Sequence, residues 1–165
     1  SAHKAVKLYT IRHYNPQAIN DLEAQKEILL NPEKRDFPAF DLRRLLDTVF
    51  APTEGCKVCI LVDFENPVEW MKGYAFRGQE QFEVQNNAYD YFYERLQGGV
   101  LEELGMTGGE MFAYRYTYGS NLDMADEVWN ADGEELSLDR DIYSNYDIVL
   151  CVSTWSATAP LTEKC

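Results

Sequence analysis

The chain has 165 residues, about the length of one domain. Its 45% hydrophobic and 26% charged residues are the balance of an ordinary globular protein that can bury a core without a staple. Fifteen basic residues against 28 acidic ones leave a net charge of −13, a field that repels nucleic-acid phosphates and anionic membrane surfaces. Neither nucleic acid nor a membrane is expected as a partner.

No run approaches the ~18 apolar residues of a spanning helix, and Ser1-Ala2-His3-Lys4 opens no signal-peptide core. The missing initiator Met suggests a processed or truncated chain. Four cysteines are too few for a disulfide scaffold, and Cys59 and Cys151 lie within apolar runs. A reducing, cytoplasmic location is the expectation.

In chain order, Lys4 to Ile11 alternates weakly, as a short edge strand would. Gln17 to Leu30 places Ile19, Leu22, Ile28 and Leu29 on a helical stripe behind Pro16, and Asn31-Pro32 ends it. Asp41 is a candidate N-cap for a short helix carrying Leu42, Leu45, Leu46 and Val49, broken by Pro52 to Gly55. Lys57 to Phe64 (KVCILVDF) is an unbroken apolar run rich in branched residues, as in a strand buried on both faces, with Asp63 near its C-terminal end.

Glu65-Asn66-Pro67 then starts a loop or short helix punctuated by Gly73 and Gly78. Glu80 to Leu104 reads as a helix with Ala88, Phe92, Leu96 and Leu104 on one face. Gly98-Gly99 can kink it and Gly105 can stop it. Met111 to Tyr118 alternates like a strand, with Phe112, Tyr114, Tyr116 and Tyr118 on one side. Glu134 to Ile142 is acidic and reads as loop or weak helix. Tyr146 to Ser153 is a second buried strand.

Repeats, low-complexity tracts and linkers are missing, so residues 1–165 read as a single α/β domain. The alternation of elements predicts a three-layer, mainly parallel, Rossmann-like sheet with helices on both faces. Ligands of such sheets bind beyond the carboxyl ends of the strands. That edge gathers Asp63, Glu65 and Asn66, the Gly119-Ser120-Asn121 turn, and the hydroxyl run Ser153, Thr154, Ser156 and Thr158. These hydroxyls suit a small polar ligand, or they cap a following helix at Thr158-Ala159-Pro160. Asp63, Glu65, Asn66, Ser153, Thr154, Ser156 and Thr158 are the candidate ligand-binding residues.

Other motifs carry less. Cys56-Lys57-Val58-Cys59 has C-x-x-C spacing but enters a strand instead of opening a helix, and it lacks a second pair for zinc. His3 and His13 are the only histidines, far along the chain from other catalytic candidates. Asp63-Phe64-Glu65-Asn66 contains no glycine and would repel a phosphate. The tyrosines at 89–93 and 114–118 suit core packing or an interface better than base stacking, given the charge. No catalytic residue and no metal ligand is assigned.

The short helix from Asp41 leading into KVCILVDF, and the later stretch Asn145-Tyr146-Asp147-Ile148-Val149-Leu150-Cys151-Val152-Ser153-Thr154 continuing through Trp155-Ser156-Ala157-Thr158, resemble the N-terminal α/β domain of the thermophilic metallo-aminopeptidases. These are the aminopeptidase T-like, leucyl aminopeptidase-like proteins. The resemblance covers 41–63 and 145–158, under a quarter of the chain, and leaves 66–78 unplaced. It implies the non-catalytic N-terminal part of a longer metal-dependent hydrolase, shaping the substrate cleft or a dimer contact. In that family the paired metals, here zinc, cobalt or manganese, are held by a C-terminal domain, so no metal ligand carries over and this chain needs no cofactor itself. The implied partners are that C-terminal domain and a second subunit. The other reading is a free-standing α/β module that binds a small ligand or another protein.

Overall fold

A computed structural model describes residues 7–12, 39–155 and 157. The predicted helix at 17–30 and both histidines lie outside the described residues. Six strands form one sheet: β1 (Lys7–Arg12), β2 (Lys57–Phe64), β3 (Thr107–Arg115), β4 (Glu127–Trp129), β5 (Glu135–Ser137) and β6 (Ile148–Ser153). Their order is β1-β6-β2-β3-β4-β5, in which β1, β6, β2 and β3 pair parallel. The β4–β5 hairpin is added antiparallel at the β3 edge. The class is α/β and the sheet is mixed, so the expectation of a mainly parallel sheet is met only in part.

β2 and β6 occupy interior positions, as their apolar runs predict. Period-two alternation divides their side chains between two apolar clusters. Ile60, Val62 and Phe64 of β2 join Ile148, Leu150 and Val152 of β6 on one face. There they pack under Leu42, Leu46 and Phe50 and under Phe82, Ala88, Phe92 and Leu96. Cys59, Leu61, Val149 and Cys151 face the other side with Phe112, Tyr114, Leu138 and Ile142.

Helix α1 (Leu42–Leu45) starts as predicted, with the Asp41 carboxylate accepting from the Arg44 N–H at 3.1 Å. A π-type turn continues it through Phe50, and Ala51 closes it at φ 44°. After β2, α2 (Pro67–Met71) begins on a proline suited to a helix's first turn. The unplaced segment 66–78 has a packing role: buried Phe76 lies 5.2 Å from Phe64, centroid to centroid.

The helix expected over Glu80 to Leu104 is discontinuous. It comprises a 3-10 turn at Glu80–Phe82, α3 (Glu83–Ala88), π-type turns at Tyr89–Tyr93 and Leu96–Val100, and a last turn, α4 (Leu101–Glu103). Gly99, at φ 135°, accounts for the second break, since that backbone leaves the helical region. Gly105, at φ 63°, stops the helix as expected.

Two further expectations are corrected. The alternating segment at Met111 begins earlier, at Thr107, and ends at Arg115, so Tyr116 and Tyr118 project beyond the strand. The acidic stretch at Glu134 contains strand β5 and then a π-type turn at Leu138–Tyr143, capped by Ser137 Oγ accepting from Arg140 N–H. Three residues with little apolar character form β5 because β4 pairs with them, a tertiary cause with little local signature.

Candidate functional site

Parallel pairing brings the C-terminal ends of β2, β3 and β6 to one edge of the sheet, and Asp63 lies at its centre. The Asp63 side chain is fully buried, yet every donor recorded on its carboxylate is uncharged. Oδ1 accepts the Thr154 backbone N–H at 2.8 Å and the Gln85 side-chain amide at 3.0 Å. Oδ2 accepts the Trp155 backbone N–H at 3.1 Å. Two consecutive peptide N–H groups of the loop after β6 are thereby pinned to the end of β2, ninety-one residues away in the chain.

Gln85, on α3 and 1% exposed, completes the clamp. Its Nε2 also donates to the Asp63 carbonyl at 2.6 Å and to Thr154 Oγ1 at 3.1 Å. The half-buried Tyr116 phenol is raised by burial, and the Thr154 and Gln85 side chains act against that rise. Ser153 Oγ donates to the Trp155 carbonyl at 2.7 Å. Burial pushes the Asp63 carboxyl above the usual aspartate range, against the lowering effect of the two backbone N–H groups and then of the Thr154 and Gln85 side chains. Burial likewise raises the phenols of Tyr114 and Tyr116, and pushes the Cys151 thiol up to about 12.

The predicted ligand set therefore divides. Asp63, Ser153 and Thr154 come together, but their polar groups hold the loop and one another. Glu65 and Asn66 are exposed beside them. Glu65 accepts from the Tyr118 phenol at 2.9 Å, and its carbonyl accepts from Arg115 at 3.1 Å. Asn66 donates to Glu69 at 3.0 Å. Ser156 and Thr158 lie outside the described residues. The Gly119-Ser120-Asn121 turn reaches the same edge, with Tyr118 at φ 54° and Asn121 at φ 60°. Tyr118 is 63% exposed and Leu122 is 50% exposed, large apolar surfaces on the loop that leaves β3.

Sequence reading missed Gln85, although a signal was present. Gln85 sits three residues before Ala88 and seven before Phe92, on the stripe that faces the core. A polar residue on an apolar stripe needs a buried partner, and Asp63 is that partner. Among the described residues no group of three or more His, Cys, Asp or Glu side chains is arranged to hold a metal ion, so this donor set does not fit one. Also among them, no helix is long and apolar enough to cross a membrane.

Comparison with protein-family models, curated proteins and solved structures finds no match for this chain.

Proposed function

We propose that this chain is the non-catalytic N-terminal α/β domain of a metal-dependent, aminopeptidase-like hydrolase, three-layered and Rossmann-like, and that its C-terminal sheet edge faces the substrate cleft or a subunit contact. Tyr118 and Leu122, exposed on the loop that leaves β3 at the same sheet edge, carry the reading. Exposed apolar side chains on a fixed frame suit a protein contact. The hydroxyls of Ser153 and Thr154 suit a small ligand less well, because Trp155 and Gln85 already engage them. Between Tyr116 and Asp139 the chain has acidic residues and no lysine or arginine, so the complementary surface is basic. The aminopeptidase assignment rests on the resemblance at 41–63 and 145–158, which places metal and catalysis in the C-terminal domain.

The test is binding of the following gene segment, supplied as a separate protein, by calorimetry. Tyr118→Ala with Leu122→Ser is expected to weaken binding at least about tenfold, equivalent to about 1.4 kcal/mol, with an unchanged melting temperature. The chain alone is expected to cleave no amino-acid amide with zinc, cobalt or manganese. Unchanged affinity in the double variant overturns the contact face. A gene lacking any such segment leaves the same face to a free-standing interaction module.

A further inference from the structure

We propose that Asp63 is a proton-operated latch on the loop after β6: its carboxylate holds the Trp155 turn in place, and its protonation releases the Trp155 N–H. The inference goes beyond the contact reading and stands on the clamp alone. A buried carboxylate is usually paired with a cation, and the groups recorded on this one are peptide N–H groups and a neutral amide.

The two oxygens are not equivalent. Oδ1 accepts two hydrogen bonds and Oδ2 accepts one. A proton added at Oδ1 displaces donors from Thr154 and Gln85, whereas a proton added at Oδ2 displaces only the Trp155 N–H. Protonation therefore falls on Oδ2. The new O–H points where the Trp155 N–H pointed, and two donors cannot share that line. Thr154 stays attached through Oδ1, so the change is confined to Trp155.

Among the groups packed against its carboxylate, Asp63 is the one whose charge changes in acid. Tyr114 on β3, Tyr116 just beyond it and Cys151 on β6 all interact with Asp63 and are neutral well above pH 7, because burial raises each of them. Gln85 on α3 does not titrate. Glu65 and Arg115 lie on the exposed side, where they meet Tyr118 and each other. Burial sets the Asp63 transition above the ordinary aspartate value of about 3.9.

The test is a pH titration of the whole chain, following the backbone amide resonances of Thr154 and Trp155 and the Asp63 carboxyl carbon. The expected result is one shared midpoint above that of an ordinary aspartate, with a larger shift at Trp155 than at Thr154 and little change at Leu61 or Leu150. Asp63→Asn, which presents a fixed N–H donor, is expected to show the released Trp155 resonance already at pH 7 and no titration there. The wild-type carbon and amide curves decide the matter alone if that variant does not fold. A Trp155 amide that is flat while the Asp63 carbon titrates, or that titrates unchanged in Asp63→Asn, overturns the latch. No partner is present, so these failures leave the contact face untouched. Conversely, unchanged partner affinity in the Tyr118 and Leu122 variant removes the contact face and leaves the latch.

Discussion

Replacing Gln85 by Met keeps the length and bulk of a buried side chain while deleting its donor. The amide offers two protons to three acceptors: the Asp63 carbonyl, Asp63 Oδ1 and Thr154 Oγ1. At most two of these bonds are strong at once, one of them to a carboxylate. A hydrogen bond to a charged group contributes about 1.5–3 kcal/mol and a neutral one about 0.5–1.5 kcal/mol, so the expected loss is roughly 2–4 kcal/mol. For a chain of this size that corresponds to a melting point lower by roughly 5–15 °C.

The loss also has a pH signature. Asp63 titrates above its unfolded value, so its contribution to stability is fully present below that value and is lost as pH rises through the folded one. Gln85 lowers the folded value, so removing it raises that value further and increases what is lost by pH 7. Urea denaturation of both proteins at pH 7 and pH 4 measures this, and the difference between them is expected to shrink in acid. An equal loss at both pH values would refute the argument that Gln85 acts on the ionised Asp63.

Three further outcomes follow from the packing. Gly108 sits at φ 88° in a bulge of β3, and a Cβ there would lie 2.5 Å from the Val58 carbonyl oxygen. Gly108→Ala is expected to cost at least about 2 kcal/mol, since left-handed backbone alone costs an L-residue about 1–2 kcal/mol. Gly98→Ala meets nothing within 4 Å and is expected to be neutral or stabilising in the same denaturant titration. Cys59 and Cys151 are buried with raised thiol pKa values, so native alkylation at pH 8 followed by mass spectrometry is expected to label half-buried Cys56 ahead of both. Labelling of Cys151 as fast as Cys56 would show that the β6 end opens readily.

How much was legible in the sequence depends on whether a feature has a local cause. The apolar runs KVCILVDF and DIVLCVS announced two interior strands, because burial on both faces demands hydrophobic residues at every position. Asp41 and Gly105 announced helix ends, because capping and backbone freedom are properties of single residues, while Pro67 left loop and short helix open. Asp63 was legible as an acid at the end of a core strand, and parallel pairing placed the loop after β6 beside it. Its role was not legible. Whether a carboxylate binds a ligand or its own chain depends on which donors converge on it, and Thr154, Trp155 and Gln85 come from distant segments. β4 and β5 were equally hidden, since three-residue strands are defined by the neighbours with which they exchange hydrogen bonds. The broken course of 80–103 was only half announced, by Gly98-Gly99, while no glycine marks the π-type turn at Tyr89–Tyr93. Patterning and capping thus fixed the core strands and the helix ends, and tertiary proximity alone decided that the acid at the sheet edge would hold the loop of β6.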